Sequence, residues 1–292
     1  MRMSLAAKFN VVFLAIFGVG FVAASVVTNV LLQANAREET LQSARVLMQA
    51  ATAARAYTTG QIVPLLQTRL KYEFLPQSVP SYAATEHLNT LLKSYPEFSY
   101  KEATLNPTNL RDRASDWEAD LVNNLRANPT TTELVGQRST STGPALYLAR
   151  PLQIKNPACL ACHSVPDAAP KTMLDIYGRN NGFGWKHMEI IGAQVVSVPM
   201  EVPLQRANVM LRTYMLSMLG IFVFLFVALN IMVHLFVTRR ITQMSRLADQ
   251  VSLGEFNAEE FNVKGNDELS ALARSFGRMR TSLVSAMKML EE

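Results

Sequence analysis

Two uncharged apolar runs constrain this chain more than any other feature. From Phe9 to Ala36 no residue is charged, and from Thr213 to Thr238 only His234 can titrate near neutral pH. Each run exceeds the ~20 residues that a helix needs to cross a bilayer. The segment between them is therefore expected to be a domain tethered to a membrane at both ends. Arg2 and Lys8 precede the first run, as in a secretory signal. Its apolar core, Val11 to Leu32, is longer than the ~7–15 residues of such a signal, so an uncleaved anchor is expected. The net charge of +5 comes from dispersed basic residues, with Arg239 and Arg240 placed to meet lipid headgroups. No basic patch interleaved with aromatic residues occurs, which argues against nucleic-acid binding.

The middle region of this 292-residue chain holds its only two cysteines, in Cys159-Leu160-Ala161-Cys162-His163. Attachment of a c-type haem needs two thiols for the two vinyl groups and an imidazole beside them for the iron, which this spacing supplies. A zinc site would need four ligands, and no second cysteine pair exists. A redox dithiol would not need His163. One covalent haem c is therefore expected, with His163 on the iron. In bacteria such attachment takes place outside the cytoplasm, whereas the flanking charges alone orient the chain weakly: Arg206 and Arg212 oppose Arg239, Arg240 and Arg246.

The expected organisation is a cytoplasmic tail over 1–9, a first span over 10–33, a periplasmic haem domain over 34–210, a second span over 211–237 and a cytoplasmic module over 238–292. The sixth iron position can be filled by Met48, His87, His187 or Met200, by water, or by nothing. Met48 is preferred because a helix face can hold a ligand rigidly. Arg55 and Tyr57 are candidate partners for the haem propionates.

Hydrophobic periodicity places helices and strands around this motif. Leu41, Ala44, Met48 and Ala51 recur at helical spacing, so the first span continues as a helix until Gly60 and Pro64. Helices are expected near Ala84–Ser94 and Trp117–Leu125, the latter capped by Ser115 or Asp116. Residues 145–152 and 190–198 read as strands, with the haem motif between them. The result is α+β: an antiparallel sheet with flanking helices. After the second span, Ile241, Met244, Ala248 and Val251 form one short seam. Leu269, Leu272, Phe276, Met279, Leu283, Ala286 and Leu290 form another, at steps of 3 and 4. Two such helices bury their seams against a second copy, as a parallel four-helix coiled coil in a homodimer.

Several separated segments carry a resemblance. Ser78-Val79-Pro80-Ser81-Tyr82-Ala83-Ala84-Thr85 is followed by Tyr100 to Asn109, Asp116-Trp117-Glu118 and Gly143-Pro144-Ala145-Leu146-Tyr147. The haem motif comes next, then Gly182-Phe183-Gly184-Trp185 and the Gly192-Ala193-Gln194 strand. Together, over roughly residues 36 to 205, they resemble the bacterial family of c-haem, PAS-like sensor domains known from cyanobacteria. Where that family uses a distal cysteine, this chain has none to offer. The tail resembles a HAMP linker through Asp267-Glu268-Leu269, Phe276 and Met279, departing from it in lacking a proline near Thr242–Ser245 and in having Gly277 after the phenylalanine.

The resemblance implies a transmembrane haem-based sensor of redox state or a small gas. No kinase, cyclase or receptor signalling domain precedes Glu292, so either output passes to a separate cytoplasmic protein such as a kinase or the chain is cut short. The rival is a membrane-anchored c-type cytochrome that carries electrons, which has no use for a cytoplasmic seam. An enzyme is not expected, because His187 alone provides no acid–base pair beside the haem.

Overall fold

The structure, a computed structural model, describes residues 3–141, 143–255 and 265–291. Arg2 and the side chain of Leu290 lie outside the described residues. The chain divides into a domain over Asn29–Met210 and a helical unit formed by Met1–Thr28 with Leu211–Glu292.

The domain is built on a four-stranded antiparallel sheet: β1 (Ser99–Thr104), β2 (Leu134–Thr140), β3 (Gly143–Gln153) and β4 (Ile190–Pro199), in the order β1-β4-β3-β2. The expected strands at 145–152 and 190–198 fall within β3 and β4. Every residue of β4 except Pro199 is buried, as befits a strand flanked by partners and covered on both faces.

Alternation of side chains divides the sheet into two faces. Tyr100, Leu146, Leu148, Val196 and Val198 form one core with Ala44, Met48 and Ala51 of helix α1 (Leu5–Tyr57). Ala84 and Leu88 join that core; they come from α3 (Pro80–Leu92), which follows α2 (Val63–Leu70). Ala103, Ala149, Ala193 and Val195 face the other way, against Val122 and Leu125 of α4 (Asp116–Ala127). Ser115 caps α4, and its N–H donates to the Glu118 carboxylate at 2.8 Å, closing a capping box.

The expected stop at Gly60 and Pro64 is not observed. A wider π-type turn over Thr58–Ile62 hands α1 on to α2. Pro64 follows directly, and the wider turn before it accommodates a residue that has no N–H to donate.

In the helical unit, the start of α1 and α7 (Glu201–Val233) meet through their apolar faces, with Phe17 and Phe222 rings 4.5 Å apart. Two helices flanking the domain are long and apolar enough to cross a membrane, which suggests that they anchor it. Beyond α7 lie α8 (Arg239–Ser252) and α9 (Glu268–Glu291). The Asp267 carboxylate caps α9 by accepting the Ser270 N–H at 2.8 Å, and pairs with Arg240 at 2.8 Å. Of the expected seam, Leu272, Met279 and Leu283 stay exposed in the single chain, while Ser270 and Ala273 are buried.

Candidate haem site

The connection between β3 and β4 carries two more short helices, α5 (Leu160–His163) and α6 (Lys171–Tyr177). Asn156 opens the haem segment: its side chain accepts the Ala158 N–H at 3.0 Å, and Pro157 starts a single 3-10 turn ending at Cys159. Cys159, Cys162 and His163 thus lie on consecutive turns. Both thiols are free and half-buried. Burial, then the neighbouring Cys159, pushes the Cys162 pKa up and keeps it a thiol.

His163 is held from three sides by residues 182–185. Its Nδ1 lies 2.7 Å from the Gly182 carbonyl oxygen. A carbonyl can only accept, so Nδ1 carries the hydrogen and Nε2 keeps a free lone pair. The Trp185 ring stacks on the imidazole at 4.0 Å between centroids and 15° between planes. Backbone bonds complete the hold: Trp185 N–H donates to the His163 carbonyl at 3.2 Å and Gly184 N–H to that of Ser164 at 2.9 Å. Burial lowers the His163 pKa, only partly opposed by the bond to Gly182, so the ring is neutral. A neutral, oriented imidazole beside two free thiols is the donor set that a covalent haem requires, and the residues fit the group.

Gly182 has no substitute in this arrangement. Its φ is +83°, and a Cβ there would come within 2.1 Å of Thr108 Oγ1. Asn106 fixes the same loop: its Oδ1 accepts the Gly182 N–H at 3.1 Å and its Nδ2 donates to the Phe183 carbonyl at 3.2 Å. Sequence reasoning quoted these segments only as carriers of a resemblance and gave Asn106, Thr108, Gly182 and Trp185 no role. A glycine pair ending in an aromatic residue, nineteen residues beyond a histidine, was the signal that could have found them.

Of the remaining candidates, Arg55 alone is placed within electrostatic reach of the motif, at Cys159. Met48 is fully buried among Leu88, Leu146 and Val196, the packing role of a core methionine, and no described contact joins it to His163. Met200 belongs to the same core, while His87 and His187 are exposed. Tyr57 is exposed. Arg55 already holds a carboxylate, that of Glu102, with Nη1 at 2.7 and 2.6 Å from its two oxygens. Tyr100 donates to Glu102 at 2.7 Å, and Gln194 donates to the Tyr100 hydroxyl at 2.9 Å. Burial opposes the Arg55 charge, but the Glu102 carboxylate outweighs it and leaves the pKa raised. Burial and the Glu102 charge likewise drive the Tyr100 phenol up, so it serves as a donor.

A HAMP domain model matches residues 227–285. No curated protein matches the chain. Among solved structures, the crystal structure of the cyanobacterial heme-protein Tll0287 is similar, at 13% identity and a TM-score of 0.43, over 55% of this chain and 95% of that one. The Tll0287-like family model matches residues 33–199, more than half of the chain. The chain therefore belongs to the Tll0287-like family, its haem-protein domain being followed by a HAMP domain.

Proposed function

We propose that this protein is a transmembrane haem-based sensor of redox state or of a small gas, which passes a conformational signal through HAMP to a separate cytoplasmic protein such as a kinase. One observation carries the reading: a haem-family domain sits between two apolar helices, and the second of these leads directly into a HAMP domain. An electron carrier needs an anchor but no HAMP domain.

On this reading residues 10–33 and 211–237 cross the bacterial inner membrane. Residues 34–210 stand in the periplasm as a PAS-like domain, and residues 1–9 and 238–292 lie in the cytoplasm. The orientation follows from haem attachment outside the cytoplasm. Cys159 and Cys162 would hold the haem through thioether bonds, their S–H groups adding across its two vinyl groups, and the free Nε2 of His163 would bind the iron. When bound, the haem supplies a one-electron couple and a place for a small ligand.

The chain's own part is to hold the imidazole neutral and oriented, through Gly182 and Trp185. The exposed Leu272, Met279 and Leu283 on α9 support a parallel homodimer, in which a packed seam with two discrete arrangements can be biased from the domain.

Cysteines introduced at Leu272 or Met279 test this in membranes. Disulfide crosslinking between copies is expected to change between oxidised and reduced haem, or on adding CO or NO. Crosslinking that is identical in every state overturns the sensor and leaves a membrane-anchored electron carrier.

A further inference from the structure

Asn106 follows β1 and precedes Pro107, which biases it to extended backbone and takes it out of any helix. Its side-chain amide has one acceptor and one donor end, and both are used on the same loop. Oδ1 takes the Gly182 N–H and Nδ2 reaches the Phe183 carbonyl. These two groups flank, along the backbone, the Gly182 carbonyl that accepts from His163 Nδ1. The amide therefore holds the peptide on either side of that acceptor, and with both held the carbonyl's direction is fixed. Thr108 adds a third point of contact, filling the space where Gly182 lacks a Cβ. Its Oγ1 is also 3.4 Å from Nδ1, too long to replace the carbonyl.

We propose that Asn106 is the positioning residue for the haem-iron imidazole: it acts through the Gly182 carbonyl to set the strength of the His163 Nδ1–H hydrogen bond, and thereby the haem midpoint potential. The proposal rests on the haem reading above. A strong Nδ1–H···O=C bond gives the ring more imidazolate character, which favours the oxidised iron. Loosening the carbonyl weakens the bond and favours reduction. Partners of this kind are typically worth ten- to a hundredfold in metal affinity or activity, and the low end is taken for the redox ratio. At fixed ambient potential, Asn106→Ala is expected to raise the reduced-to-oxidised ratio about tenfold, a shift of about +59 mV for a one-electron couple.

The experiment uses the full-length chain in detergent with its haem. A pyridine haemochrome spectrum first establishes two thioether bonds, and spectroelectrochemistry then gives the potential. Asn106→Ser adds no charge near the iron, and its single short hydroxyl cannot bridge both Gly182 and Phe183, so it should shift the potential in the same direction. It remains readable if Asn106→Ala does not fold. Asn181→Ala is the control. It removes the neighbouring bond from Arg113 (3.0 Å) without touching Gly182 or Phe183, and should leave the potential unchanged. A wild-type chain without covalent haem overturns the haem reading together with the proposal. A haem-loaded wild type whose potential matches both Asn106 variants overturns the proposal alone, as does an equal shift in Asn181→Ala.

Discussion

Removing Arg55 should expose how a nearly dry carboxylate is held in this domain. Glu102 is 4% exposed at its side chain and Arg55 31%, with 2.6 Å between them. A solvent-exposed pair contributes about 0–1 kcal/mol, whereas removing one partner of a buried pair costs about 3–5 kcal/mol. Arg55 still touches water, so Arg55→Leu belongs at the lower end, about 3 kcal/mol at pH 7.5. It strands Glu102 with only the Tyr100 hydroxyl. Glu102→Leu should cost less, about 1.5 kcal/mol, since the freed guanidinium can turn to solvent. The double variant leaves no unpaired charge and should cost about 2.5 kcal/mol, giving a coupling of about 2 kcal/mol.

Thermal unfolding of the haem-loaded protein in detergent at pH 7.5, followed by circular dichroism, measures all four corners of the cycle. Additive single variants would refute the reasoning and return Arg55 to the role of a propionate partner.

Two further expectations concern single residues. Burial, against the pull of Arg111, raises the Asp112 pKa to about 6. The folded state thus favours the protonated acid, and its contribution is present below about pH 4 and lost as the pH rises through about 6. Asp112→Asn should therefore be more stable than wild type at pH 7.5, by about 1–2 kcal/mol, with the gap closing on acidification; a lower melting temperature at pH 7.5 would contradict this. Met48→Ala should lower stability by about 2–5 kcal/mol through the cavity it leaves. The low-temperature EPR and near-infrared spectra of the haem should be unchanged, and loss of a methionine–iron band would instead make Met48 a ligand.

The sequence was most legible where one interaction decides a residue's identity. Charge exclusion over Phe9–Ala36 marked the first apolar helix, and the β-branched run at 190–198 marked one of the sheet's two inner strands. The Ser115 cap was visible because its partner lies three residues away, at Glu118. β1 was missed for the opposite reason. Ser-Tyr-Lys-Glu-Ala-Thr shows no apolar alternation, since its charged residues are paired only in three dimensions, Lys101 with Glu118 and Glu102 with Arg55. The same holds at the site. Cys159, Cys162 and His163 are neighbours in sequence and announced themselves. Asn106, Gly182 and Trp185 come together only after β1 and the β3–β4 connection have folded. Met48 and Arg55 lie on the face of α1 that spacing assigned to the domain, but periodicity cannot tell a core position or an ion pair from a ligand.

The grip on α1 bears on how such a domain can drive a helix. Three polar ties hold its domain-side half. Gln33 donates to Asn208 of α7 at 3.2 Å, Arg45 shares Glu133 with Arg150 of β3 at 3.2 and 2.9 Å, and Arg55 holds Glu102 of β1. Between them Ala44, Met48 and Ala51 are fully buried, and small residues at two of these positions bring the helix close to the sheet. A close-packed contact of this kind does not deform gradually. At 1.5 Å per residue, Gln33 and Arg55 are about 33 Å apart along an unbroken helix. A displacement of the sheet edge at Glu102 therefore has to be absorbed by breaking the buried pair, or carried along α1 to the tie with α7. Breaking it costs several kcal/mol, so movement as a rod is the cheaper response. The tie at Gln33 and Asn208 then couples α1 to the start of α7 within the domain.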